Sequence, residues 1–192
     1  MTASTAMAVS AADIELNKDN QDGTTEVTAV IKSSTPGSVS YIITIPEKVD
    51  FGELTKPDNN IDDYKEVKYT VTATKLEGLT GTQNIAAYVK DENASVNGDQ
   101  YFYIKNKADP TKKFKYSVFD VADSALTDSS VPLDSRTMTL SIGYHLHGFK
   151  TEGESVTGTL RLNQNQLFNY DLSSIVGEYS GHMVFYSMIS DN

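Results

Sequence analysis

The sequence predicts an all-β chain folded as an antiparallel β-sandwich, and three features carry that expectation. Apolar residues recur with a period of two along almost the whole chain. The alternating runs are short, and turn-forming residues such as Glu77-Gly78 and Asp109-Pro110 stand between them. No stretch carries the 3.6-residue periodicity of a packed amphipathic helix.

The first expected strand is residues 26–32, EVTAVIK, after which Thr35-Pro36-Gly37 turns the chain. In residues 38–45, Val39, Tyr41, Ile43 and Ile45 alternate with Ser40, Ile42, Thr44 and Pro46, so one strongly apolar face points inward. Pro46 has no N–H for a ladder and therefore ends this strand or lies at an edge. Val49 and Phe51 then share a face, and Gly52 frees the backbone once Phe51 is anchored. Residues 64–76 repeat the alternation through Val67, Tyr69, Val71 and Ala73, with Lys68, Thr70, Thr72 and Thr74 outward, a composition suited to a pleated surface.

Residues 83–90 and 100–105 follow, and Asn97-Gly98 between them predicts a hairpin. Residues 113–119 form the next strand. The Ser/Asp-rich stretch 121–135, VADSALTDSSVPLDS, reads as a surface crossover between sheets, and residues 135–149 and 155–162 are strands separated at Gly153. The last strand, 178–188, is apolar on both faces from Met183 to Tyr186, as expected of a strand covered on both sides or placed at a protomer contact. Gly181 beside it is expected at a bulge or a close backbone approach.

About nine strands of this kind make an immunoglobulin-like or related sandwich. Its core is expected to hold Tyr41, Ile43, Ile45, Phe51, Val71, Leu140, Ile142, Leu160 and Phe185. Neither half of the chain offers a closed set of strands, so a single domain over 13–192 is expected.

Composition narrows the function. The 16 basic residues against 26 acidic ones leave a formal charge of −10, which repels a phosphate backbone and excludes nucleic acid as a partner. The same charge favours a monomer. No apolar run approaches the roughly 20 residues of a membrane-spanning helix, so no membrane insertion is expected. The start of the chain, MTASTAMAVSAA, has small residues spaced as a signal peptidase reads them at Val9-Ser10-Ala11. Residues 1–12 therefore read as the remnant of a signal peptide, a plain Ala/Ser tail being the alternative, and the expected address is secreted or cell surface. Exported domains often rely on disulfides, yet there is no cysteine here, a habit most typical of Gram-positive bacteria.

Residues with chemical potential are few. His145 and His147 lie i,i+2 on one strand face and, with His182, are candidate metal ligands against the plainer reading of a solvated polar face. Asp58 and Asp62 in the acidic loop 58–63 offer oxygen ligands for calcium, but neither this loop nor residues 17–22 has the EF-hand register, and Asx turns account for both. There is no Gly-x-Ser-x-Gly, no thiol nucleophile and no His with an orienting partner in sequence, so no enzyme and no cofactor are expected. Tyr101, Phe102, Tyr103 and Tyr170 are candidate ligand-binding residues, because planar aromatics stack on sugar rings; by alternation Tyr101 and Tyr103 share a face assigned to the core.

The run YIITIPEKVDFGEL resembles the strand that opens many modules of Gram-positive secreted cell-surface, adhesin-like proteins, where a Tyr/Thr-rich strand leads into I-P-x-x-V-D-F-G. Gly177-Glu178-Tyr179-Ser180-Gly181 followed by Met183-Val184-Phe185-Tyr186 is similar to the G-x-Y-x-G and apolar final strand of those modules. The absence of Trp excludes a WxL cell-wall motif. The resemblance implies a non-catalytic binding module that takes a host protein, immunoglobulin for example, through a sheet face or strand edge. The alternatives are a glycan-binding module and a pilin-like structural subunit. Such adhesins can also carry Lys–Asn isopeptide bonds, for which Lys32 and Asn192 are the pair to check.

Overall fold

Alternation becomes ladder pairing in the computed structural model, which describes residues 39–95, 97–139 and 142–191. Nine strands appear among the described residues: β1 (Ser40–Thr44), β2 (Tyr64–Glu77), β3 (Gln83–Asp91), β4 (Phe102–Asn106), β5 (Lys113–Phe119), β6 (Tyr144–Phe149), β7 (Ser155–Asn163), β8 (Tyr179–Ser180) and β9 (Met183–Asp191). They form two antiparallel sheets, a larger one ordered β1-β2-β7-β5-β4-β8 and a smaller one ordered β6-β3-β9. The expected class is thus the observed one. The expected strand 26–32, the core residue Leu140 and the pair Lys32 and Asn192 lie outside the described residues.

The long strand β2 organises the larger sheet, pairing with β1 on one side and with β7 on the other. Its inward residues Tyr69, Val71 and Ala73 are buried, and its outward threonines meet hydroxyls across the strands. Thr70 faces Thr157 at 3.3 Å, Thr72 faces Ser155 at 2.8 Å and Thr74 faces Thr44 at 3.0 Å. In the smaller sheet Ile85, Ala87 and Val89 of β3 and Tyr144, Leu146 and Phe149 of β6 point at the core. A run of rings, Phe51–Tyr116–Phe102–Tyr144, with centroids 5.7, 5.6 and 6.0 Å apart, carries the packing from one sheet to the other.

Of the expected core, Phe51, Val71 and Leu160 are buried, whereas Tyr41, Ile43, Ile45, Ile142 and Phe185 are half-buried. Phe51 is followed by Gly52 at φ +65°, where Asp50 Oδ1 accepts from the Gly52 amide at 2.8 Å. Tyr41, Ile43, Ile45 and Phe185 sit where the two sheets' edges face one another. There the Tyr41 hydroxyl donates to the Ser187 carbonyl at 3.2 Å, joining β1 to β9.

Three expectations change. Asn97-Gly98 does not join a hairpin, because β3 belongs to the smaller sheet and β4 to the larger. The Gly98 amide does close a tight turn on the Ser95 carbonyl. What redirects the chain is buried Asp91, whose carboxylate accepts from the Asn93 amide at 2.8 Å and the Tyr103 amide at 3.1 Å. Residues 135–149 are not one strand. Leu133–Ser135 is a 3-10 turn with Leu133 buried, Arg136 clasps Asp120 at 2.7 and 2.8 Å, and only Tyr144–Phe149 joins the ladder. The segment before it does cross from β5 in the larger sheet to β6 in the smaller, as its composition suggests. Last, residues 178–188 divide: β8 pairs with β4 and β9 with β3.

Gly181 marks the division. A Cβ there would lie 2.0 Å from the Tyr103 carbonyl oxygen, so backbone meets backbone where the chain leaves one sheet for the other.

Candidate binding surface

The outer face of the smaller sheet follows from the alternation of β9. Met183 and Phe185 pack against the core, while Val184, Tyr186 and Met188 point the other way and are 41%, 47% and 38% exposed. This corrects the expectation of a strand covered on both sides: among the described residues, one face of β9 is open. Register extends the patch across the sheet. Tyr186 stands opposite Tyr88 of β3, and Tyr88 stands opposite His145 of β6, with the Tyr88 and His145 rings edge-on at 5.5 Å. A row of three rings therefore crosses all three strands, with Val184 and Met188 on either side of Tyr186.

Electrostatics leave this patch short of charge at its centre. Burial, and then the neighbouring charge of His147, hold the His145 ring below its ordinary pKa and favour the neutral imidazole. His147 instead pairs with Glu154 at 2.8 Å. Burial acts to raise the Glu154 carboxyl, but the bonds it accepts from the Lys150 amide, the His147 ring and the Thr151 amide outweigh that and hold it low. The third histidine, His182, bonds a different carboxylate, Glu92, at 2.9 Å. Asp62 accepts from the Tyr64 hydroxyl and from Asn163 Nδ2 at 3.1 and 2.7 Å, which ties the start of β2 to the end of β7. Asp58 is exposed on the loop before it. No group of three His, Cys, Asp or Glu that could hold a metal occurs among the described residues.

The aromatic candidates separate. Phe102 is fully buried and belongs to the core, while Tyr101 is exposed and Tyr103 half-buried on the outer face of the larger sheet, the reverse of the expected alternation. The Lys115 ammonium lies 3.4 Å from the Tyr101 ring centroid and the Lys113 ammonium 3.8 Å from that of Tyr103. Burial, followed by the bond to Asp99, pushes the Tyr103 phenol up to about 12. Asp99, Tyr101 and Tyr103 line an open cleft of about 310 Å³ together with Gly98, Gln100 and Asp134. The Asp134 side chain is 1% exposed, and Lys115 pairs with it at 3.0 Å. Tyr170 is not in this cleft; its ring packs edge-on against Phe114.

Sequence reasoning placed Tyr186 and Val184 on the last strand but missed Tyr88. The signal for Tyr88 was present, since it alternates with Ile85, Ala87 and Val89 and must face away from them.

No protein-family model matches the chain, and no curated protein matches it. Among solved structures, a chain from work on a chaperone–tip adhesin complex vital for activation of CFA/I fimbriae biogenesis superposes with a TM-score of 0.50 at 15% sequence identity. The superposition covers 79% of this chain and 42% of that one, so the protein spans less than half of its neighbour's length. The likeness is one of fold alone.

Proposed function

We propose that the chain is an extracellular, non-catalytic binding module of a Gram-positive surface protein that captures a host protein on the outer face of its smaller sheet. One observation carries the reading: the row His145–Tyr88–Tyr186 with Val184 and Met188 beside it. Tyrosines supply large, rigid contact area at little conformational cost, and the weakly charged centre is cheap to desolvate. The charge of −10 on the body favours a partner that presents basic residues around an apolar spot. The fold likeness to an adhesion assembly agrees with this class of role.

Immobilised protein exposed to serum, mucin and purified immunoglobulin tests the proposal. Retention of one host protein, reduced at least about tenfold by Val184→Ser with Tyr186→Ser, is expected, since central aromatic anchors carry most of an interface's energy. A second reading, glycan capture, rests on the Tyr101 and Tyr103 cleft. It is disfavoured because an ammonium group already lies over each ring. Retention that survives the double substitution and is competed away by free sugar would move the site to that cleft.

A further inference from the structure

The outer face of the larger sheet carries a positive spot on an acidic protein. Phe102 and Ile104 of β4 and Phe114 and Tyr116 of β5 pack into the core, so by alternation Tyr103, Lys105, Lys113 and Lys115 point outward. Register places Lys105 directly opposite Lys113, with Ser180 of β8 opposite Lys105 on its other side. Like charges directly opposite one another weaken a sheet. Lys107, Lys112, Lys113 and Lys115 each pair with a carboxylate, but among the described residues none pairs with Lys105. The open cleft of about 310 Å³ begins on the same face at Tyr103, two residues before Lys105, and Asp99 and Asp134 line it as well. The Asp134 side chain is 1% exposed; Lys115 pairs with its Oδ2, and among the described residues its Oδ1 accepts nothing.

We infer that this stretch of the larger sheet binds an acidic sugar, a pyranose that carries a carboxylate. The ammonium groups of Lys105 and Lys113 take the carboxylate, which relieves their mutual repulsion and gives Lys105 the counterion it lacks. The sugar ring lies against the exposed part of Tyr101. Asp99 accepts from the Tyr101 amide, the Tyr103 hydroxyl and Lys113, and a carboxylate has about four acceptor positions, so one is open to a ring hydroxyl. A second hydroxyl reaches Asp134 Oδ1 once the partly exposed Lys115 side chain swings aside, and so satisfies a buried acceptor that is costly to leave unmade. Two residues along a strand span roughly 7 Å, which keeps Lys105 and the cleft at Tyr103 within reach of one sugar residue.

Charge decides the class of sugar. The ammonium groups over the Tyr101 and Tyr103 rings keep a neutral ring from stacking there, but they attract one with a negative charge. The formal charge of −10 does not oppose this, because exposed charges more than about 8 Å away are screened at physiological salt. At the site itself Lys105, Lys113 and Lys115 outnumber Asp99 and Asp134. A simple anion would use the lysines and leave Tyr101 and Asp134 idle. The site shares no residue with the His145–Tyr88–Tyr186 face, so it stands or falls apart from the proposed capture of a host protein.

Amide NMR titration of the intact protein at constant ionic strength tests it with sodium glucuronate, glucose and sodium acetate. Glucose lacks the carboxylate and acetate lacks the ring. Glucuronate is expected to shift the Tyr101, Tyr103, Lys105 and Lys113 amides to saturation with a millimolar dissociation constant, at least about tenfold below those of glucose and acetate. Acetate binding within about threefold of glucuronate would mean an adventitious ion only, and glucose binding that well would mean a neutral-sugar site. Either overturns the inference, as does the absence of saturable shifts. Lys105→Gln should weaken glucuronate binding about tenfold without lowering the thermal midpoint, since it removes a like-charge contact. A lower midpoint would show that Lys105 serves the sheet, and unchanged affinity would remove it from the site; each refutes the assignment.

Discussion

Tyr69 on β2 stands directly opposite Gly158 on β7, and its ring fills the space that a side chain at 158 would need. A Cβ on Gly158 would lie 2.4 Å from the Tyr69 ring and 2.3 Å from the Phe119 carbonyl oxygen, the same oxygen that accepts the Tyr69 hydroxyl at 3.0 Å. Gly158→Ala is therefore expected to lower stability by roughly 1–3 kcal/mol through overpacking. Tyr69→Phe, which loses one buried hydrogen bond, should cost about 1 kcal/mol. Urea unfolding followed by fluorescence checks both; a Gly158→Ala midpoint equal to the parent's would show that the strands can spread.

Lys115 is the partner of a carboxylate that has almost no contact with solvent. Apart from this ion pair at 3.0 Å, neither Asp134 oxygen has a hydrogen-bond partner among the described residues. Lys115→Met should then cost roughly 2 kcal/mol or more, because the charge stays buried when its counterion leaves. The double change Lys115→Met with Asp134→Leu should recover most of the loss. Failure of that rescue in thermal unfolding would place the cost in packing rather than in charge.

Acid should weaken the crossover clasp. Burial acts to raise the Asp120 carboxyl, but the bonds and charge of Arg136 outweigh it and hold it below the ordinary carboxylate value. The unfolded chain thus binds this proton more readily than the folded one, so the contribution is fully present above the unfolded value, about 3.9, and is lost as pH falls through the folded one. Asp120→Asn is expected to lower stability at neutral pH and to flatten its decline below about pH 4. Parallel pH-stability curves for the two proteins would contradict the linkage.

Chelation should leave the protein unchanged. His147 is held by Glu154, His182 by Glu92, and Asp62 by Tyr64 and Asn163. The thermal midpoint is expected to be the same with EDTA, with calcium and with zinc, since a ligand bound to the folded state would raise it by mass action. A rise of several degrees with either ion would identify a site.

The element types were largely legible because inward and outward residues alternate, and the ladder keeps that period. β5 falls on its expected residues, and β2, β3 and β7 differ from theirs by one residue at an end. Partner choice was not legible. Asn97-Gly98 encodes a turn, but which sheet receives the next strand depends on Asp91 reaching the Tyr103 amide twelve residues away. Tyr101-Phe102-Tyr103 is aromatic at every position, so alternation fixes two faces without saying which is inside. The phenols settle it by taking lysines and solvent, and Phe102 has no polar atom to satisfy. The break in residues 135–149 arises from buried Leu133 and the Asp120–Arg136 clasp, contacts between distant segments that a local period cannot carry.

The paired hydroxyls along β2 have a consequence for the conditions this surface can meet. Thr44–Thr74, Thr70–Thr157 and Thr72–Ser155 are held without a formal charge on either side. Such contacts do not titrate between gastric and alkaline pH, and dissolved salt has no ion pair there to screen. At these three contacts the grip is the same in brine, in acid and in fresh water, unlike that of the Arg161–Glu66 ion pair farther along the same ladder.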